Sequence, residues 1–185
     1  MTLEQQIRAA LSTFASSFAI SSPYEREREL VSRFVISHLL PTVQAGAPLF
    51  DVGQVGLEVA VPQRRDIPNK RHDPDVCKDV VIWPRPGMVC WDDNGKVVHY
   101  PSAVLEWKSI NRKDSVAMAR KKTTRDRPGD VEWLRSLVLA DPSVEGYSAL
   151  VDLKSSPSSL TVTRVVADGD SPDWFRFETS VRKGR

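Results

Sequence analysis

Between residues 78 and 110 two apolar runs flank a tight turn, and this arrangement restricts the fold more than any other part of the chain. Residues 92–95, DDNG, contain an Asn-Gly pair, the strongest short-range signal for a hairpin. KDVVIWP (78–84) precedes it and AVLEWKSI (103–110) follows it. In a hairpin paired residue numbers have a constant sum, which a turn here sets at about 187 to 189. Asp79, predicted to open the first strand, then falls opposite about residue 108 to 110, beside Lys108 and one diagonal step from Glu106. Glu106 and Lys108 are two residues apart and share one strand face. Three charges are thus expected at one end of two strands that are otherwise apolar. As a solvated surface pair, Glu106 and Lys108 would contribute only roughly 0.2–1 kcal/mol. Buried, the three charges are costly unless something holds them, and a divalent cation with oxygen ligands would do so. Pro84, Pro86 and Pro101 are expected to disturb the middle of the ladder.

The remaining chain reads as helix, helix, strands, helix, strands. Leu3, Ile7, Leu11 and Phe14 form the apolar stripe of a first helix. A second is predicted from Ser22 as N-cap and Pro23 at the first position, with Tyr24, Leu30, Val31, Phe34, Val35, His38 and Leu39 inward. A strand is expected at 55–62, a helix at 130–140 capped by Asp130, and strands at 147–153, 160–167 and 174–179. The order predicts an α/β domain with a mixed central sheet flanked by helices. The length, 185 residues, suits one domain over 1–185. Cys77 and Cys90 match no zinc spacing and are expected as reduced thiols. The N-terminus lacks the pattern of a secretion signal and no apolar run approaches a membrane span, so a cytoplasmic location without a membrane partner is expected.

With Asp79 before an apolar strand and Glu106-Trp107-Lys108 in the next, the chain resembles the PD-(D/E)XK nuclease superfamily. ERELV (27–31) looks like the family's helix with a glutamate ahead of the sheet. The resemblance implies a restriction-endonuclease-like core over about 23–155, with the N-terminal helix (1–18) and the C-terminal strands (159–179) as additions. It implies a nuclease that hydrolyses phosphodiester bonds with Mg²⁺, or Mn²⁺ in its place. Asp79, Glu106 and the Trp107 carbonyl would be the metal ligands, Lys108 would stabilise the attacking water and the phosphorane charge, and Glu27 would serve a second metal or its water. DNA is the expected substrate, in phage defence, restriction, recombination or repair, and a homodimer is compatible with a family that often pairs two sites. A non-cleaving nucleic-acid-binding or partner-binding module of the same fold is the alternative.

Some assignments stay open on the residues. The literal Pro74-Asp75 competes with Asp79, but hairpin pairing carries Asp75 beyond the EWK strand. Glu25 and Glu29 compete with Glu27, which the spacing to Leu30, Val31 and Phe34 favours, and Glu58 is an outside candidate. The stretch after EWK carries Arg112, Lys113, Arg120, Lys121, Lys122, Arg125 and Arg127 against Asp114 and Asp126, a local +5 in a chain of net +2. It is the expected source of phosphate contacts. Arg64, Arg65, Lys70 and Arg71 would form a second edge, while the five tryptophans are expected mainly in the core.

Overall fold

The computed structural model describes residues 1–17, 26–62 and 75–179. Six strands form one sheet in sequential order: β1 (Val55–Pro62), β2 (Asp75–Ile82), β3 (Ala103–Ile110), β4 (Glu145–Asp152), β5 (Ser159–Val166) and β6 (Gly169–Glu178). All neighbours are antiparallel except β3 and β4, whose parallel pairing needs a crossover. Helices α3 (Val116–Lys121) and α4 (Arg127–Ala140) supply it. Helices α1 (Leu3–Ser16) and α2 (Glu27–Phe34) precede the sheet. The expected α/β architecture is present, and it is consistent with a restriction-endonuclease-like core.

The alternating strand pattern divides the core between the two sheet faces. Val80, Ile82, Leu105, Trp107 and Tyr147 pack with Ile7, Leu11 and Phe14 of α1 and Leu30 and Phe34 of α2. Val81, Val104 and Val165 pack with Trp133, Leu134, Leu137 and Val138 of α4. Trp107 lies at the centre of the first cluster, its ring 5.5 Å from Phe14 and 5.0 Å from Phe34. Helix α1 and strands β5 and β6 belong to this same core, through Leu160, Val162 and Phe175. Glu4 ties the first helix to the last strand by accepting the Trp174 indole N–H at 2.9 Å.

Local chemistry moves several boundaries. Helix α2 starts at Glu27 behind an extended Arg26, later than the predicted Pro23 start; Ser22, Pro23 and Tyr24 lie outside the described residues. Strand β2 begins at Asp75, so Asp79 sits within it and does not open it. The 130–140 helix belongs to a helical run from Val116 to Ala140, interrupted by a π turn at Lys122–Asp126. Another π turn, Val35–Leu39, follows α2. Each precedes a proline, Pro128 or Pro41, which lacks an N–H and whose ring would collide with the carbonyl four residues back. Widening the turn relieves that crowding.

The Asn-Gly hairpin exists at its two ends but not between them. Asp92 and Gly95 close the turn, and Trp91 bridges Val97, a pair that sums to 188. At the base Val80 pairs with Leu105, a sum of 185. The strand carrying Pro84 and Pro86 takes up the difference as loop, since prolines cannot supply ladder N–H groups. Asp79 is therefore level with Glu106, and not with residues 108 to 110. No helix among the described residues is long and apolar enough to cross a membrane.

Phe14 is fully buried and holds α1 to the core. Phe14→Ala is expected to lower unfolding free energy by about 3–5 kcal/mol, read as a lower denaturant midpoint.

Candidate active site

Position 79 is where the sheet comes apart. The β1–β2 pairing runs from Val55 with Ile82 to Pro62 with Asp75 but skips Glu58 opposite Asp79. Glu58 has φ of 50°, a left-handed backbone that costs a non-glycine residue about 1–3 kcal/mol and bends the strand there. Gly56 accommodates the bend, because a Cβ on it would lie 2.3 Å from Val59 Cγ2. On the other side β2–β3 pairing is confined to Val80–Ile82 with Ala103–Leu105. Asp79 is paired with neither neighbour.

Side chains replace the missing ladder. The Trp107 N–H donates to Asp79 Oδ2 at 2.7 Å, and the Ser109 N–H donates to Glu27 Oε2 at 2.9 Å. Alternate N–H groups of a strand point to the same edge, so both carboxylates line the edge of β3 that β2 has left. On the α4 side, Lys78 Nζ lies 2.8 Å from Glu106 Oε1, each residue 5% exposed, and 3.8 Å from the centre of the Trp133 ring. Lys78 is thus the cation that Glu106 Oε1 faces inside the fold. Lys108 Nζ lies 3.2 Å from Asp130 Oδ2 and donates to the Trp107 carbonyl at 2.9 Å.

Four carboxylates, Glu27, Asp79, Glu106 and Asp130, therefore surround two ammonium groups, Lys78 and Lys108. Burial pushes the Glu106 carboxyl up to about 7; Lys78 opposes this, while Asp79 and Asp130 reinforce it. Burial also raises Glu27, Asp79 and Asp130 above the usual carboxylate range, against the pull of Lys108 on each. For Lys108, burial pulls downward, but Asp130, Glu27 and Glu106 together outweigh it and hold the ammonium charged.

The structure thus brings together Asp79, Glu106, Lys108 and Glu27. Of the competing glutamates, Glu29 caps α2 through the Arg26 N–H at 2.8 Å, and Glu25 lies outside the described residues. Exposed Glu58 pairs with Arg28 at 2.6 Å. A cleft of about 530 Å³ opens beside Glu27 and Asp79, walled also by Glu58, Arg26 and Arg28; Glu106 and Lys108 are not among its walls. Lys78 and Asp130 were not expected in the site. Asp130 is no cap: Asp126 precedes the helix, and Asp130 lies in its first turn. Its spacing to Trp133, Leu134 and Leu137 is the signal that could have found it, the same inward stripe that selects Glu27.

The basic segment divides. Arg112, Arg120 and Arg125 are exposed, as is Lys113. Lys122 instead turns inward, donating to the Ser109 carbonyl at 2.6 Å and Asp114 at 2.8 Å, which fastens the helical run to the end of β3. Lys121 lies 3.7 Å from Asp126. Arg127 donates to Thr163 of β5 at 3.1 Å and lines a different cleft, with Arg135 and Asp170. Arg64, Arg65, Lys70 and Arg71 lie outside the described residues. Trp83, Trp107 and Trp133 are buried, Trp91 and Trp174 partly so.

Among the described residues no three Asp, Glu, His or Cys side chains form a metal cage. The donor set of Asp79 and Glu106 with the Trp107 carbonyl nonetheless fits a hard divalent cation. It is all oxygen, and it lies where four carboxylates face two ammoniums, although Lys78 stands at Glu106 and Lys108 at the Trp107 carbonyl.

Raised carboxyls mean that the folded state binds more protons than the unfolded one. Their contribution to stability is complete below the unfolded values, about pH 4, and is lost as pH rises through the folded ones, near 7 for Glu106. Between about pH 5 and pH 8 the melting temperature is expected to fall more for the unsubstituted chain than for Glu106→Gln, which cannot ionise. Differential scanning calorimetry of both across that range checks it. Comparison with family models, curated proteins and solved structures finds no match to the chain.

Proposed function

We propose that the protein is a metal-dependent nuclease that hydrolyses phosphodiester bonds, with DNA as the favoured substrate. The observation that carries this reading is the meeting of Asp79, Glu106, Lys108 and Glu27 where β2 parts from β3, with a cleft alongside. Asp79, Glu106 and the Trp107 carbonyl would hold Mg²⁺ or Mn²⁺. Such an ion supplies a bound water of lowered pKa and a counter-charge for phosphate oxygens. Lys108 remains an ammonium and so acts electrostatically, opposing charge that grows on the phosphoryl oxygens, and not as a free base. Asp130 sustains that charge and orients the side chain. Glu27 fixes the β3 backbone at Ser109, beside the reacting centre. Arg112, Lys113, Arg120 and Arg125 on the exposed run after β3, and Arg26 and Arg28 at the cleft, are suited to phosphate contacts.

A non-cleaving nucleic-acid-binding or partner-binding module is the second reading. It draws on the internal ion pairs, which give Glu106 and Lys108 partners within the fold.

Incubation with plasmid, linear and single-stranded DNA and with RNA, in Mg²⁺, Mn²⁺ or EDTA, separates the two. The nuclease reading expects cleavage with metal, reduced by about 100-fold or more in Asp79→Ala and Lys108→Ala. Failure of every substrate to be cut would leave the binding module. Replacing Arg112, Arg120 and Arg125 together by Ala is expected to weaken DNA binding and flatten its salt dependence, measured by fluorescence anisotropy across a salt series.

A further inference from the structure

Resting on that reading of the site, we propose that Lys78 is a positioning residue that competes with the metal. Its ammonium is seated on Trp133 and holds Glu106 when no divalent cation is bound, and Glu106 is released to the cation when one is.

A lysine in this place is unusual on physical grounds. Lys78 immediately precedes the proposed ligand Asp79 in β2, yet its ammonium reaches the other proposed ligand, 2.8 Å from Glu106 Oε1. Both side chains are almost wholly excluded from water, so solvent screens the contact weakly. An ionised Glu106 in this setting requires a cation, and Lys78 provides one built into the chain. A divalent ion accepted by the same carboxylate would stand against that ammonium, and like charges at such range repel strongly.

Trp133 makes the exchange feasible. The ammonium already lies 3.8 Å from the ring centre, a cation–π seat that persists when the Glu106 contact is given up. Lys108, the other ammonium of the site, has a separate carboxylate at Asp130 and is not needed to neutralise Glu106. The consequence is a site tuned to a weaker grip on divalent ions than its carboxylates alone would give.

The test is Mn²⁺ titration of the full chain by isothermal titration calorimetry, without nucleic acid. Lys78→Met and the polar, neutral Lys78→Gln, both confirmed folded by circular dichroism, are compared with Lys78→Arg. The neutral variants are expected to bind Mn²⁺ about tenfold more tightly or better, and Lys78→Arg to keep the weaker affinity. A purely structural role would leave binding unchanged or weaken it. Unchanged or weaker affinity in the folded neutral variants overturns the role of Lys78 while the metal reading stands. Absence of Mn²⁺ binding in every folded form overturns both. Lys78→Gln carries the test should Lys78→Met not fold.

Discussion

The hydrogen bond from the Trp107 N–H to Asp79 decides the form of this site. A sheet edge cannot open inside a protein without stranding backbone donors, and each stranded donor costs about 1–3 kcal/mol. Asp79 answers that cost with a carboxylate oxygen at 2.7 Å, and Glu27 does the same for Ser109. The strands can then separate, Glu58 can turn into its left-handed conformation, and a cleft forms between α2, Glu58 and Asp79. Because the acceptors are carboxylates and not carbonyls, the repair of the sheet also concentrates negative charge.

That charge governs the rest. Glu106 and Lys78 are nearly dry, and a buried ion pair of this kind is seldom a net source of stability. Asp130 reaches in from α4 to Lys108, so the crossover helix is tied electrostatically to the strand it spans. Lys122 ties the same crossover at its start, through the Ser109 carbonyl. The site is therefore braced from α2, β2 and the helical run together, while the exposed arginines of that run remain available to solvent.

Much of this was legible in the sequence where one element decides the outcome. Period-two alternation places Glu106 and Lys108 on one face, helical spacing selects Glu27, and the Asn-Gly turn brings Asp79 near them. The exact level of Asp79 was not legible, because the loop between the bridge at Trp91 and the pair at Val80 absorbs residues that hairpin counting assigns to strands. Lys78 and Asp130 were missed for a different reason. Each is defined by a partner on another element, and a lysine beside a proposed ligand reads as surface charge until Trp133 and Glu106 enclose it. Lys122 reads as one of seven similar cations, although its ammonium is directed inward.

Trp107 serves two structures at once. Its ring is wedged between Phe14 and Phe34, while its N–H and C=O meet Asp79 and Lys108. The residue that orders the charged groups is thus also a keystone of the oily interior, and the two cannot be loosened separately. Heat or denaturant should disperse the charged cluster only when the whole domain melts, with no partly folded stage beforehand. Transplanting the charged residues onto another sheet would reproduce their spacing but not the rigidity that Trp107 gives them.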